Sequence, residues 1–372
     1  MYEEKIRSAF SRNWVFWLYG QRGLPWYLII AIIALLPLII GASLAALLGV
    51  FRLYFFSFLA HSGPMLIALS LVAYYWFYVN FPRELDRLIP AVDIDETEAM
   101  RVVTKWANRV ANRIGIMIVA GIPIAFVGLV DTVSLWQTPT RMWLGTPWVA
   151  SSRPLFFALV YAFYYVLAMG FLLGSGVAGI IGTGLIIGDL LHRPLKLDYY
   201  RRLQAVTDLS IGVGSWAFVA FAIVLIASSF VKPLSDPKVV FSSVLLSCIA
   251  SVALLVAFLS PLLAAHNAIV KAKKTRLAAC EERLSQLSEQ IETALSTGIA
   301  GFRDETHVYL ENLEAFCKER SLIIQQVSEI ESISDWPITL VNTLRFTLTA
   351  LVTPFMGQVA GLLVSTITEL IP

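Results

Sequence analysis

Long apolar stretches alternate with short charged segments along the whole chain. A helix of about 20 apolar residues is long enough to cross the hydrocarbon core of a bilayer. We therefore predict an all-α polytopic membrane protein with about seven transmembrane helices. The predicted spans are residues 24–50, 65–81, 114–136, 154–191, 203–231, 239–265 and 338–364, and the transmembrane domain as a whole covers 24–265 together with the final helix and tail, 338–372.

A different pattern follows the sixth apolar stretch, where a heptad repeat runs out along one helix and back along another. The first seam is Leu277, Cys280, Leu284, Leu287, Ile291 and Ala294, and the second is Thr306, Leu310, Leu313, Cys317, Arg320, Ile324 and Val327. One apolar seam per helix is typical of coiled-coil packing. We predict an antiparallel coiled-coil hairpin over 266–337 that turns near Gly298 and sets Leu284 opposite Leu313 and Cys280 opposite Cys317.

Composition supports the membrane assignment, and the distribution of charge gives an orientation. Of 372 residues, 58% are hydrophobic and 15% are charged, whereas soluble domains carry about 25% charged residues. With seven spans, 22 of the 28 Lys and Arg residues fall on the side that holds the amino terminus and the hairpin. Because basic residues are retained in the cytoplasm, we predict a plasma-membrane protein with a cytoplasmic hairpin and an external carboxyl terminus.

Two segments allow more than one interpretation. The apolar stretch 154–191 would be about 57 Å long as one helix, so it is either one bent or protruding helix or a span with a re-entrant part. Residues 1–23 have Ile6, Phe10 and Trp14 on one helical face and Lys5, Arg7 and Arg12 around the other. We predict a cytoplasmic amphipathic helix in the headgroup region, with a helical extension of the first span as the alternative.

An acidic cluster precedes a predicted cytoplasmic helix over 93–113. It consists of Asp93, Asp95, Glu96 and Glu98. Asp95 followed three residues later by Glu98 resembles a capping box, and acids favour the first turn of a helix. The alternative is a divalent-cation site, because several hard oxygen ligands lie within six residues.

Span four has a face of small residues that recurs every four positions, beginning with Gly170, Gly174, Ala178 and Gly182. Such a face lets a neighbouring helix approach closely, and exposed carbonyls and hydroxyls could equally line a pore. The candidate packing or pore residues are Gly170, Gly174, Ser175, Gly179, Gly182 and Thr183.

Ionisable residues inside predicted spans are candidates for function because they are costly in lipid. Asp131, Asp208 and Arg345 meet this criterion. Asp208 and Arg345 could form a buried pair between spans five and seven. Alternatively, Arg345 reaches the cytoplasmic headgroups and Asp208 caps the start of its helix.

No enzymatic or cofactor motif is present in the sequence. The four histidines have no metal-ligand spacing, the three cysteines form no disulfide framework, and HExxH, GxSxG and phosphate-binding glycine loops are absent. We therefore expect no enzyme, no cofactor and no nucleic-acid partner. The pattern favours a homo-oligomeric channel or pore for ions or small solutes, gated through the hairpin. Alternatives are a scaffold or sensor whose hairpin binds a cytoplasmic protein, and a proton-coupled secondary transporter.

Overall fold

A computed structural model describes residues 2–20, 25–47, 49, 51, 58–122, 125, 152–216, 237–300 and 306–337. Within these ranges the chain is almost entirely helical, with one isolated antiparallel bridge between Val92 and Leu195 and no strand. The helices are α1 (Glu3–Ala9), α2 (Trp14–Gly20), α3 (Trp26–Leu47), α4 (Phe58–Leu88), α5 (Glu96–Trp106), α6 (Ser152–Leu191), α7 (Pro237–Ala300) and α8 (Thr306–Ser332).

Shorter elements connect these helices. Residues 114–122 and 204–216 are also helical. A π-helical segment, Ala107–Ala111, follows α5, and 3-10 segments cover Ile89–Ala91 and Leu197–Leu203. The helix predicted over 93–113 therefore begins later, at Glu96, and changes from α-helical to π-helical geometry after Trp106.

Three helices in the described residues are long and apolar enough to cross a membrane. They are Trp26–Leu47, Pro64–Ala91 and Gly170–Leu191, which fall within or overlap predicted spans one, two and four. The prediction of an all-helical protein with membrane-spanning helices is confirmed at this level. Predicted span seven and much of spans three and five lie outside the described residues.

The amino-terminal segment differs from the single interfacial helix that the sequence predicted. It forms two short helices, α1 and α2, separated by a corner at residues 10–13. Ile6 and Phe10 are 0% and 2% exposed because they pack into a protein core. The apolar face is thus satisfied by the protein itself, and Phe10 stacks against Phe16 with ring centroids 5.1 Å apart.

That core is formed by buried side chains from several helices. It contains Leu85 and Leu88 from α4, Val103 from α5, Ile187 and Leu190 from α6, and Ala265 and Ile269 from α7. Aliphatic side chains at helical spacing on each element supply the contact, and their burial from water stabilises the bundle. The core contacts α7 near its middle, where the charged half of that helix begins.

The charged half of α7 packs against α8, and the two helices run in opposite directions. Between residues 274 and 296, the six predicted seam residues of α7 are less exposed than all their neighbours, and Leu287 is fully buried. The less exposed residues of α8 are Leu313, Phe316, Glu319, Ile323, Val327 and Ile330. We call α7 from residue 266 onward, together with α8, the arm.

The register of the arm differs from the predicted one. Arg283 pairs with Glu319 at 2.7 Å, whereas the predicted register sets Arg283 opposite Glu314. Cys317 is exposed and Ile324 is 51% exposed. The observed stripe has Phe316 in place of Cys317 and Ile323 in place of Ile324, and Glu319, which it has in place of Arg320, pairs with Arg283.

Candidate functional site

Lys273 of α7 closes the end of α8 at the base of the arm. Its ammonium nitrogen donates to the carbonyl oxygen of Ile333 at 2.9 Å, to Asp335 Oδ1 at 2.8 Å and to the carbonyl oxygen of Glu331 at 3.4 Å. The last carbonyls of a helix have no partner within the helix. Lys273 therefore supplies a hydrogen-bond donor to carbonyl groups at the end of α8. Its side chain is only 14% exposed.

The segment that follows α8 is held by two further side chains. The rings of His266 and Trp336 stack with centroids 4.2 Å apart, and His266 Nδ1 lies 2.9 Å from the carbonyl oxygen of Asp335. Thr207, which is fully buried, donates its hydroxyl to the carbonyl oxygen of Pro337 at 2.7 Å. We call Thr207, His266, Lys273, Asp335 and Trp336 the arm joint.

The arm joint connects three parts of the chain at one point. Thr207 belongs to the helical segment 204–216, His266 and Lys273 belong to α7, and the other two residues follow α8. The hydrogen bond from Lys273 is the main cause that lowers the pKa of Asp335, and the charge of Lys273 and of His266 lowers it further. The carboxylate is therefore stabilised in its charged form.

A groove of about 670 Å³ lies beside the joint, between the 3-10 segment and the arm. Arg276 pairs with Asp198 across it at 3.0 Å, and Cys280 contributes to its wall. Cys280 and Cys317 are both free thiols, the first half-buried and the second exposed. Their proposed contact stays a prediction, and the observed pairing of Arg283 with Glu319 does not favour it.

The small-residue face of α6 is occupied along its first part by a neighbouring helix. Gly170 and Gly174 meet the backbone of residues 117–121, and a Cβ atom on Gly174 would overlap the carbonyl oxygen of Met117. A Cβ atom on Gly121 would overlap the carbonyl oxygen of Gly170. Close approach of two backbones requires glycine here, so this part of the face packs against protein.

The remaining candidates on α6 have different surroundings. Ser175 accepts a hydrogen bond from Trp14 Nε1 at 3.1 Å, and Thr183 donates to the carbonyl oxygen of Gly179 within its own helix. Gly182 lies within ordinary contact distance of Val110. Ala178 is fully buried beside Val110, so the small-residue face is covered along its length, whereas an added Cβ on Gly179, which lies off this face, would meet no atom within 4 Å.

The acidic cluster before α5 is divided among separate partners. Asp95 Oδ1 accepts a hydrogen bond from the backbone N–H of Glu98 at 2.7 Å, so the predicted cap is confirmed. The other three acids pair with basic residues: Asp93 with Lys196, Glu96 with Lys5, and Glu98 with Arg193. No group of three potential metal ligands occurs in the described residues, and the four acids do not converge on one point.

Asp208 lies in a charged cluster that the sequence did not reveal. It interacts electrostatically with Arg87 and Glu84, which are joined to each other by hydrogen bonds of 3.0 and 3.1 Å. Glu84 is 7% exposed although it carries a charged group within a candidate span. Asp131 and Arg345 lie outside the described residues, so the proposed pair of Asp208 with Arg345 stays a prediction.

Sequence reasoning missed Glu84, Thr207 and the role of Lys273. Lys273 belongs to a basic cluster whose members look alike in sequence, and Thr207 shows its role only through a contact 130 positions away. A carboxylate between Pro82 and Leu85 in an apolar helix was a signal that pattern reasoning could have used for Glu84. No protein-family model, curated protein or solved structure matches the chain.

Proposed function

We propose that the chain forms a homo-oligomeric channel for ions or small solutes whose gate is operated by the arm. The observation that supports this most strongly is the arm joint, in which Lys273 of α7 binds the segment that leads out of α8. A force on the arm is thereby delivered to α7 and to the chain after Pro337 at the same time. Gating by a cytoplasmic element needs such a connection to the membrane helices.

The geometry of α7 suits it for transmitting a force. It is one helix from Pro237 to Ala300, about 96 Å long at 1.5 Å per residue. Its first part has the composition of a membrane helix, and its second part carries the arm. We propose that seven spans place the arm, as an antiparallel coiled coil, in the cytoplasm, with residues 338–364 returning through the bilayer.

Assembly of several copies would use the exposed side of α6. A Cβ atom on Gly184 or Gly188 would meet no atom within 4 Å. Ile181 and Leu185 are 49% and 37% exposed on the same stretch of helix. A bare glycine face bordered by large apolar side chains permits close contact with a second helix in a membrane, and we propose that neighbouring subunits supply it.

The experiment is ion-flux recording from the purified full chain reconstituted in liposomes, with two matched variants. Lys273→Gln removes the joint contacts while keeping a long polar side chain, and Lys274→Gln makes the same change at the next, exposed position. We expect flux in the unaltered protein, a changed open probability in Lys273→Gln and no change in Lys274→Gln. Absence of flux in the unaltered protein contradicts the channel, and equal behaviour of the two variants contradicts gating through the joint.

A proton-coupled transporter is the second candidate, because Glu84 is buried beside Asp208 and Arg87. A buried carboxylate within a membrane helix is a common proton carrier. Uptake that is driven by a pH gradient and lost in Glu84→Gln would favour this function over a channel. Glu281→Gln, the same substitution at an exposed position on the arm, is the matched control.

A further inference from the structure

The corner between α1 and α2 is fixed to the chain that follows α5. Asn13, which is buried, donates its amide to the carbonyl oxygen of Ala111 at 2.5 Å. In return, Asn112 donates its amide to the carbonyl oxygen of Ala9 at 2.9 Å. These reciprocal bonds hold together the two segments that carry the exposed residues Arg12 and Arg113.

Arg109 contributes a third guanidinium to this surface. It lies four positions before Arg113, in the π-helical segment, and over the ring of Trp106, with its Cζ atom 5.6 Å from the ring centroid. All three arginines are exposed. The tryptophan ring restricts Arg109 without neutralising it, since an indole carries no charge.

These three arginines have no acidic partner among the described residues. Several nearby basic residues do: Lys5 pairs with Glu96, Arg7 with Glu3, and Lys105 with Asp189. The positive-inside rule explains why basic residues are abundant on the cytoplasmic side. It does not explain why these three arginines lack an acidic partner. Positive potential is therefore concentrated at Arg12, Arg109 and Arg113.

The level of this surface in the bilayer follows from the helix that comes directly after it. In the segment 114–122, the large apolar side chains of Ile114, Ile118, Val119 and Ile122 are 49–66% exposed. Such a row of exposed aliphatic side chains is stable in lipid and costly in water. Arg113 therefore lies at the boundary between water and lipid. Trp17 of α2 is 60% exposed, as is typical of an aromatic residue at the membrane interface.

We propose that Arg12, Arg109 and Arg113 bind the phosphate headgroup of an anionic phospholipid in the inner leaflet. Guanidinium groups bind phosphate oxygens with paired hydrogen bonds, and basic surfaces beside membrane helices bind acidic headgroups. The neutral amide of Asn108 lies on the same surface and adds no negative charge. The choice of leaflet rests on the proposed orientation of the chain, whereas the lipid site itself does not depend on the channel, because it lies on the lipid-facing perimeter of the protein.

The test is native mass spectrometry of the full chain, counting phosphatidylglycerol bound in competition with phosphatidylcholine. Removal of one basic residue near a membrane surface weakens the attraction about fivefold, so Arg12→Gln, Arg109→Gln and Arg113→Gln together should weaken the preference for phosphatidylglycerol roughly a hundredfold. The control is Lys274→Gln, Lys318→Gln and Arg320→Gln, which removes the same charge from exposed positions on the arm.

Further variants and a competition measurement distinguish this site from other causes of the lipid preference. Replacing the three arginines by lysine should keep most of the preference, and single Arg113→Gln should lower it about fivefold in a chain whose helical content is unchanged. A control variant that loses the preference equally would overturn the proposal. Displacement of the lipid by millimolar glycerol 3-phosphate would also overturn it, because the site would then bind a free phosphate ester.

Discussion

The ammonium nitrogen of Lys273 lies 2.8 Å from the carboxylate of Asp335, although 62 positions separate the two residues. The same nitrogen donates to the carbonyl oxygen of Ile333 at 2.9 Å. One side chain of α7 thus holds both the open end of α8 and the first residues of the segment that leaves it. The arm cannot separate at its base without breaking these contacts.

Lys273→Gln should loosen this base. Loss of the charged donor leaves carbonyl groups without their partner, which costs about 1–3 kcal/mol in the free energy of local opening. Amide hydrogen exchange over residues 331–337, measured by mass spectrometry on the full chain in detergent, should become faster by roughly 5- to 150-fold. Lys274→Gln should leave the exchange unchanged, since Lys274 is exposed and only its neighbour forms the joint.

Acidification should open the same contact. The pKa of Asp335 is lowered from 3.8, mainly by the hydrogen bond from Lys273. A carboxylate with a lowered folded-state pKa contributes stability above its unfolded pKa, and this contribution is lost as the pH falls through the folded value. We expect local opening of residues 331–337, corrected for the intrinsic exchange rate, to increase below about pH 3.8.

The control for this pH dependence is Asp335→Asn. It should open the joint already at neutral pH and remove the change that acid produces, because an amide does not titrate in this range. An Asp335→Asn chain that retains the full acid response would show that another group is responsible. The pKa of Asp95 is also lowered, by its hydrogen bonds from Thr97 and Glu98, but Asp95 caps α5 and lies outside the joint.

Replacement of glycine on α6 should distinguish packing from an open face. Gly174→Ala places a methyl group against the carbonyl oxygen of Met117, so the two helices must separate, at a cost of about 1–3 kcal/mol in the free energy of unfolding. Gly179→Ala meets no neighbour and should stabilise the helix by about 0.5–1 kcal/mol. Thermal unfolding in detergent measures both, and equal losses would contradict the observed contact.

Local features of the chain could be predicted from the sequence. The Asp95 cap follows from residue types three positions apart, and the seam of α7 follows from its heptads, because both depend on neighbours along one helix. The close approach at Gly170 and Gly174 was one of two interpretations of a small-residue face. Its partner at Met117 and Gly121 could not be identified, since many apolar segments would fit such a face.

Contacts between distant segments could not be predicted in the same way. Thr207 binds Pro337 through a single hydroxyl, which leaves no periodic pattern. The amphipathic face with Ile6 and Phe10 suits a bilayer and a protein core equally well, because both bury apolar groups. The predicted register of α7 against α8 was wrong for a related reason. Several apolar residues of α8 lie one position from the predicted seam, and only packing selects among them.

Ile323 and Ile324 form a matched pair that tests this register. Ile323 is 8% exposed against α7 and Ile324 is 51% exposed, whereas the predicted seam contains Ile324. Ile323→Ala should therefore lower the free energy of unfolding of the arm by about 2–4 kcal/mol, as for a buried aliphatic residue. Ile324→Ala should change it by no more than about 0.5 kcal/mol. Amide hydrogen exchange within α7 and α8 reports the difference, and a larger effect at Ile324 would restore the heptad register and contradict the structure.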